Sequence, residues 1–304
     1  MPGRALGTIT LALALLAAPA RAQYETGGAP ANAPTESSLK KALREGRVVI
    51  GATITVPNVD TALAAASAGF DFLWIEMEHS PLSLQSLRDI VLATRGTPAV
   101  VITRVPVNEP WLAKRVLDMG SLGVIFPFTS TRELAQQAVA SCKYPPLGIR
   151  GFGAGLAASG YGMASADYVK FADENVLVVV IIEQKQAVDD IEAIASVPGI
   201  DVLFIGANDL SYSLGVRGRT TEPIVEQAVE TVVAAAKKHG IPVGYPAGSP
   251  AEINKRIAQG IRFFQAGNEV GLMRSGAREL LTKVERPAPA ASATPPATAP
   301  RPEH

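Results

Sequence analysis

Eight short apolar runs recur along residues 37–285 of this 304-residue chain, and helix-like stretches separate most of them. The runs are RVVIGAT (47–53), FDFLWIE (70–76), AVVITR (99–104), LGVIFPF (122–128), VLVVVII (176–182), DVLFIG (201–206), IPVGYP (241–246) and RFFQAG (262–267). Several are unbroken stretches of Val, Ile, Leu and Phe, as strands buried on both faces require. VDTALAAASAG, LSLQSLRDIVLATR, WLAKRVLDMG, TRELAQQAVASC, VDDIEAIASV, TEPIVEQAVETVVAAAKKHG and PAEINKRIAQG read as the intervening helices. This alternation predicts a single (β/α)8 TIM barrel over 38–285. A doubly wound open sheet is the alternative that the same alternation permits.

The ends are expected to lie outside the barrel. Arg4 precedes an apolar run too short to span a membrane easily, and Ala20-Arg21-Ala22 offers a small-residue cleavage site before Gln23. Residues 1–22 are therefore expected to be a cleavable signal peptide, with the mature protein exported to the periplasm. Its removal takes away Arg4 and Arg21 and turns a formal charge of zero into about −2. Residues 23–37 read as a flexible Gly/Pro/Ala linker, and 286–304 as a disordered Pro/Ala-rich tail. No basic stripe appears, which argues against nucleic acid as a partner, and no membrane contact is expected after signal cleavage. The single cysteine, Cys142, excludes an intrachain disulfide and reads as a packed small apolar residue.

In a barrel the C-terminal strand ends converge on one mouth. Four of the predicted strands carry reactive groups there: His79 beyond FDFLWIE, Arg104, Glu183 and Asp209. His239 sits at a helix end where a cation suits the dipole, and His304 is the terminal residue, so His79 is the histidine placed for chemistry. Glu183 and Asp209 fall on neighbouring strand ends. Two carboxylates without a nearby histidine or cysteine suit a hard divalent ion such as Mg²⁺ or Mn²⁺. Blander roles compete: Glu183 in a salt bridge with Lys185 or a rim arginine, Asp209 as a helix N-cap, Arg104 in a structural ion pair, Asp118 as a solvated helix charge. GIRGFGAGLAASGYG (148–162) follows no strand directly, so it is no dinucleotide fingerprint; it reads as a flexible active-site loop.

The stretches GFDFLWIEMEHSP, VVITRVPVNEP, VLDMGSLGVIFP, KYPPLGIRGFG, VVVIIEQKQAVDDI, GIDVLFIGANDLSYSLG and GIRFFQAGNEVGLM, in this order, resemble the HpcH/HpaI class II pyruvate aldolases, the 2-keto-3-deoxy-sugar-acid aldolase family. The resemblance implies a hexameric (β/α)8 barrel that cleaves 2-keto-3-deoxy or 4-hydroxy-2-oxo acids to pyruvate and an aldehyde. It implies a divalent cation (Mg²⁺, Mn²⁺ or Co²⁺) on Glu183 and Asp209, and His79 as base with Asp118 orienting it. It further implies Arg104 on the pyruvyl oxygen and the backbone at Gly206 and Ala207, beside Asn208, as the substrate-carboxylate site. The partners implied are a keto acid, an aldehyde and further copies of the chain. Three departures from the family pattern stand out: Glu76 where an aspartate is usual, Asn208 where alanine is frequent, and no arginine in 151–162. Two other readings share the barrel, a citrate-lyase-like acyl-CoA lyase and a non-catalytic exported keto-acid-binding protein.

Overall fold

The computed structural model describes residues 35–286; the expected signal peptide, most of the linker and the tail lie outside the described residues. The strands are β1 (Val49–Ile54), β2 (Phe72–Glu76), β3 (Val100–Arg104), β4 (Gly123–Phe126), β5 (Leu177–Ile182), β6 (Val202–Ile205), β7 (Val243–Pro246) and β8 (Phe263–Asn268). All pair in parallel with their sequence neighbours, and β8 returns to β1 to close the barrel. This is the (β/α)8 architecture expected from the alternation, and closure excludes the open sheet. Among the described residues, no helix is long and apolar enough to cross a membrane.

Side chains alternate between the two faces of each strand. Phe72 and Trp74 of β2, Ile102 of β3, Leu177, Val179 and Ile181 of β5, Val202 and Phe204 of β6, and Phe263 of β8 fill the barrel's interior. Phe72 stacks on Phe263 at 4.3 Å between centroids, and Trp74 meets Phe204 at 4.9 Å. Glycines on the neighbouring strands, in register with the rings, make room for them: a Cβ at Gly51 would sit 2.2 Å from the Phe72 ring, and one at Gly244 2.5 Å from that of Phe204. The short helix Ser38–Arg44 closes the floor, burying Leu39, Ala42 and Leu43 against the same interior. A second apolar layer packs the outward strand residues against the surrounding helices.

The seven expected helical segments are present, with VDDIEAIASV lying in a pair of one-turn helices, Lys185–Asp189 and Ile191–Ala195. Ser38–Arg44, Ser165–Asn175, Ala207–Ser213 and Glu269–Thr282 are helices beyond those expected. The glycine-rich stretch is a correction. Residues Gly155–Tyr161 form a helix rather than a flexible loop, with Ala157 and Ala158 buried and Gly162 closing it at φ 66°. Alanine has the highest helix propensity and packs flush, and Gly162 takes the left-handed position that side chains avoid. Cys142 is buried among apolar neighbours, which pushes its thiol up to about 12.

Candidate active site

The inward parity of the strands carries straight into the mouth. Glu76 is the next inward position after Phe72 and Trp74, Arg104 follows Ile102, Glu183 follows Ile181, and Gly206 follows Phe204. These groups, with His79, Ala207, Asn208, Asp209, Thr53 and Gln265, line one cavity of about 240 Å³. Seven of the eight residues expected to form the site, all but Asp118, therefore line a common cavity.

Glu183 is buried, and its Oε1 accepts a single backbone hydrogen bond, from Phe128 at 2.6 Å. Phe128 adopts a left-handed conformation at φ 50° to present that N–H, a geometry that costs a bulky residue about 1–3 kcal/mol. Burial, together with the neighbouring Asp209 and Glu78 charges, pushes the Glu183 carboxyl up to about 7, against the help of the Phe128 N–H. A Cβ at residue 206 would lie 2.6 Å from that of Glu183, so only glycine lets the carboxylate settle there. Lys185 is no partner: its ammonium is bonded to Asp189 at 2.6 Å on the surface. Asp209 is exposed in the first turn of Ala207–Ser213, whose N-cap is Gly206, so its expected alternative as N-cap is set aside. The Gly206 amide bonds Ile182 O at 3.0 Å, whereas the Ala207 and Asn208 amides belong to the helix's open first turn.

Arg104 is held by three neighbours. Its Nε donates to Glu76 Oε2 at 2.7 Å, its Nη1 lies 3.0 Å from Glu78 Oε2, and its guanidinium carbon is 5.9 Å from the Trp74 ring centroid. The Glu78 contact is an ion pair without hydrogen-bond geometry, leaving Oε2 buried and unbonded. Burial raises the Glu78 carboxyl above its ordinary range, with Arg104 opposing the shift. With carboxylates at Nε and at Nη1, Nη2 is the guanidinium nitrogen of Arg104 left without a side-chain partner among the described residues.

His79 stands at the rim with its side chain 66% exposed, and Nε2 is 3.7 Å from Glu78 Oε2. Asp118 does not reach it. That carboxylate accepts from Arg150 Nη2 at 2.8 Å and lies against Gly153, pinning the segment ahead of Gly155–Tyr161 to the helix Pro110–Asp118. Arg150 is wholly buried and also stacks 4.5 Å from the Tyr144 centroid, so Asp118 is its anchoring carboxylate. The expected Asp118–His79 pairing is thus not formed in the described chain, because the buried guanidinium claims Asp118 first. Glu76 was absent from the expected site and is central to it; a charged residue closing the apolar FLWI run beside Arg104 was the available signal.

The family described as HpcH/HpaI aldolase/citrate lyase matches residues 54–275. The 5-keto-4-deoxy-D-glucarate aldolase of Klebsiella pneumoniae is 36% identical over 249 residues, covering 82% of this chain and 97% of that protein. The crystal structure of an HpcH/HpaI aldolase/citrate lyase family protein from Burkholderia cenocepacia superimposes with a TM-score of 0.77 at 35% identity, covering 81% of this chain and 98% of that one. Citrate synthase SbnG superimposes at 0.72 with 29% identity, covering 81% and 97%. The chain belongs to the HpcH/HpaI aldolase family and is a carbon–carbon lyase.

Proposed function

We propose that the protein is a divalent-metal-dependent aldolase that reversibly cleaves 2-keto-3-deoxy or 4-hydroxy-2-oxo acids to pyruvate and an aldehyde. One observation carries the metal: Glu183 is buried beside Asp209 and Glu78 with a single N–H donor. A buried carboxylate so short of donors is stabilised by a cation. Among the described residues no set of three or more His, Cys, Asp or Glu forms a metal cage. Two carboxylates with water and substrate oxygens completing the shell suit Mg²⁺, Mn²⁺ or Co²⁺. Bound there, such an ion supplies Lewis acidity toward the pyruvyl half and lowers the cost of the enolate.

The chain's own groups supply the rest. Arg104 Nη2 donates to the keto oxygen as negative charge develops. The amides of Ala207 and Asn208 face the substrate carboxylate. His79, at the open rim, takes the proton from the 4-hydroxyl; the bond between carbons 3 and 4 breaks, its electrons pass to the keto oxygen, and the protonated His79 returns a proton to carbon 3 of the enolate, the step that methyl proton exchange reads in reverse. Among the described residues Arg104 is the only lysine or arginine lining the cavity, and it is already flanked by two carboxylates. Neutral hydroxyaldehydes are therefore the favoured acceptors over acidic ones.

The test is proton exchange at the pyruvate methyl group together with aldol addition to glycolaldehyde and to succinic semialdehyde. Excess chelator is expected to abolish both activities, and Mg²⁺, Mn²⁺ or Co²⁺ to restore them. Full activity under chelation removes the metal, and a preference for the acidic aldehyde removes the acceptor reading. The N-terminal signal supports export, tested by finding Gln23 at the start of the mature protein. Leu272, Met273, Leu280 and Leu281, exposed along the last helix, support a homo-oligomer, tested by sedimentation.

A further inference from the structure

We propose that Glu76 is a positioning residue that couples the two working groups of this mouth, holding the Arg104 guanidinium with one carboxylate oxygen and the His79 turn with the other. Oε2 accepts from Arg104 Nε at 2.7 Å and from the Trp74 indole at 3.2 Å. Oε1 accepts from the backbone amides of Glu78 at 2.8 Å and His79 at 3.0 Å. A carboxylate offers about four lone-pair sites, and all are filled, so Glu76 has none left with which to take a substrate proton. Glu76 and Arg104 are register partners on β2 and β3, which sets their side chains together on the inner face before any substrate arrives. The Ser80 hydroxyl donates to Glu76 O, closing the turn from the other side. The same buried residue thus fixes where Arg104 Nη2 points and where the chain leaves β2 toward His79.

This inference rests on Arg104 serving the pyruvyl oxygen and His79 the proton. Its test is pyruvate methyl proton exchange, followed by NMR in D2O on the Mg²⁺-supplemented protein, for wild type, Glu76→Gln, Arg104→Lys and the double variant. Glutamine matches the shape of glutamate but has one acceptor oxygen and one donor amide, so whichever way it turns it opposes two of the four donors. We expect Glu76→Gln to raise KM for pyruvate and to lower kcat, each by about tenfold or more, per folded molecule. Arg104→Lys removes the Nε that Glu76 holds, so adding Glu76→Gln to it is expected to change KM by less than about threefold while kcat still falls. Unchanged kcat and KM with only a lower Tm, or KM effects that multiply in the double variant, would overturn the proposal. Should Glu76→Gln fail to fold, Trp74→Phe removes one of the four donors and keeps the ring; a few-fold rise in KM supports the coupling and an unchanged KM refutes it. Wild-type protein without exchange would sink the aldolase reading itself, a result distinct from a normal wild type with a normal Glu76→Gln.

Discussion

The floor and the mouth of this barrel handle buried polar groups in opposite ways. At the floor, Lys40 lies 3.0 Å from Asp201, whose other oxygen accepts the Val178 amide at 2.9 Å, and Ser37 N bonds Asn175 at 2.6 Å. Asp71 likewise caps the Ile50 amide at 2.8 Å. At the mouth, Glu183 has one donor and Glu78 Oε2 none. These floor charges pair with partners of their own chain, whereas the mouth gathers Glu76, Glu78, Glu183 and Asp209 around a single arginine. Acidic groups short of donors cost stability, and a cation or substrate is what offsets that cost. The floor serves folding; the mouth is where the proposed chemistry is placed.

The largest expected effect tests whether the mouth is catalytic. His79→Ala should lower turnover by about a hundredfold or more, the usual scale for a general base, with little change in Tm because the side chain is mostly exposed. Near-normal turnover in that variant would assign the proton to another group. Asp118→Asn sharpens the same contrast from the side. Its carboxylate anchors Arg150 rather than His79, so the change should cost about 1–3 kcal/mol of stability, seen as a lower Tm, and less turnover than His79→Ala. A loss of turnover equal to that of His79→Ala, with Tm unchanged, would restore Asp118 to the base.

An intermediate effect concerns pH. The Glu183 carboxyl, raised to about 7 in the native state, keeps its proton where the unfolded chain has already lost it. The native state then binds more protons, so its stability falls as pH rises from about 4.5 to 7 and levels off above. Metal-free protein should therefore lose Tm across that window through this group, and metal affinity should climb over the same range as the ion displaces the proton. Glu183→Gln should flatten the Tm dependence; an unchanged slope would place the titration elsewhere. The smallest effect belongs to the floor. Lys40→Met should cost about 0.5–1 kcal/mol, as partly exposed ion pairs do, and leave kcat unchanged. A larger change in kcat than in Tm would erase the division between floor and mouth.

Much of this arrangement was legible from periodicity. The eight apolar runs locate the strands, and strand-end position singles out His79, Arg104, Glu183 and Asp209 before any contact is known. The helix Gly155–Tyr161 was obscured by its flanking glycines, although its alanines pack like any other buried helix face. The Arg150–Asp118 pair spans 32 residues and depends on how deeply a surface-type residue is buried, which no local pattern encodes. The left-handed Phe128 is similarly invisible, since bulky residues rarely adopt that conformation and nothing in IFPFTS marks it. Glu76 lay in view, but its four donors come from β2, β3 and a turn that only the closed barrel assembles.

The inward parity that stacks Phe72, Trp74 and Glu76 on one face of β2 has a consequence for sequence drift. Substitution edits one storey of the barrel at a time: the top storey can change its chemistry while the aromatic storeys beneath keep their shape. Insertion or deletion of a single residue within a strand acts as a frameshift, turning its acidic end outward into the helices and its outer residues inward. The two-residue spacing from the last interior side chain to the carboxylate at the mouth, Trp74 to Glu76 on β2 and Ile181 to Glu183 on β5, is what such a frameshift would break, whereas a change of length in the connections between storeys and shell leaves it intact.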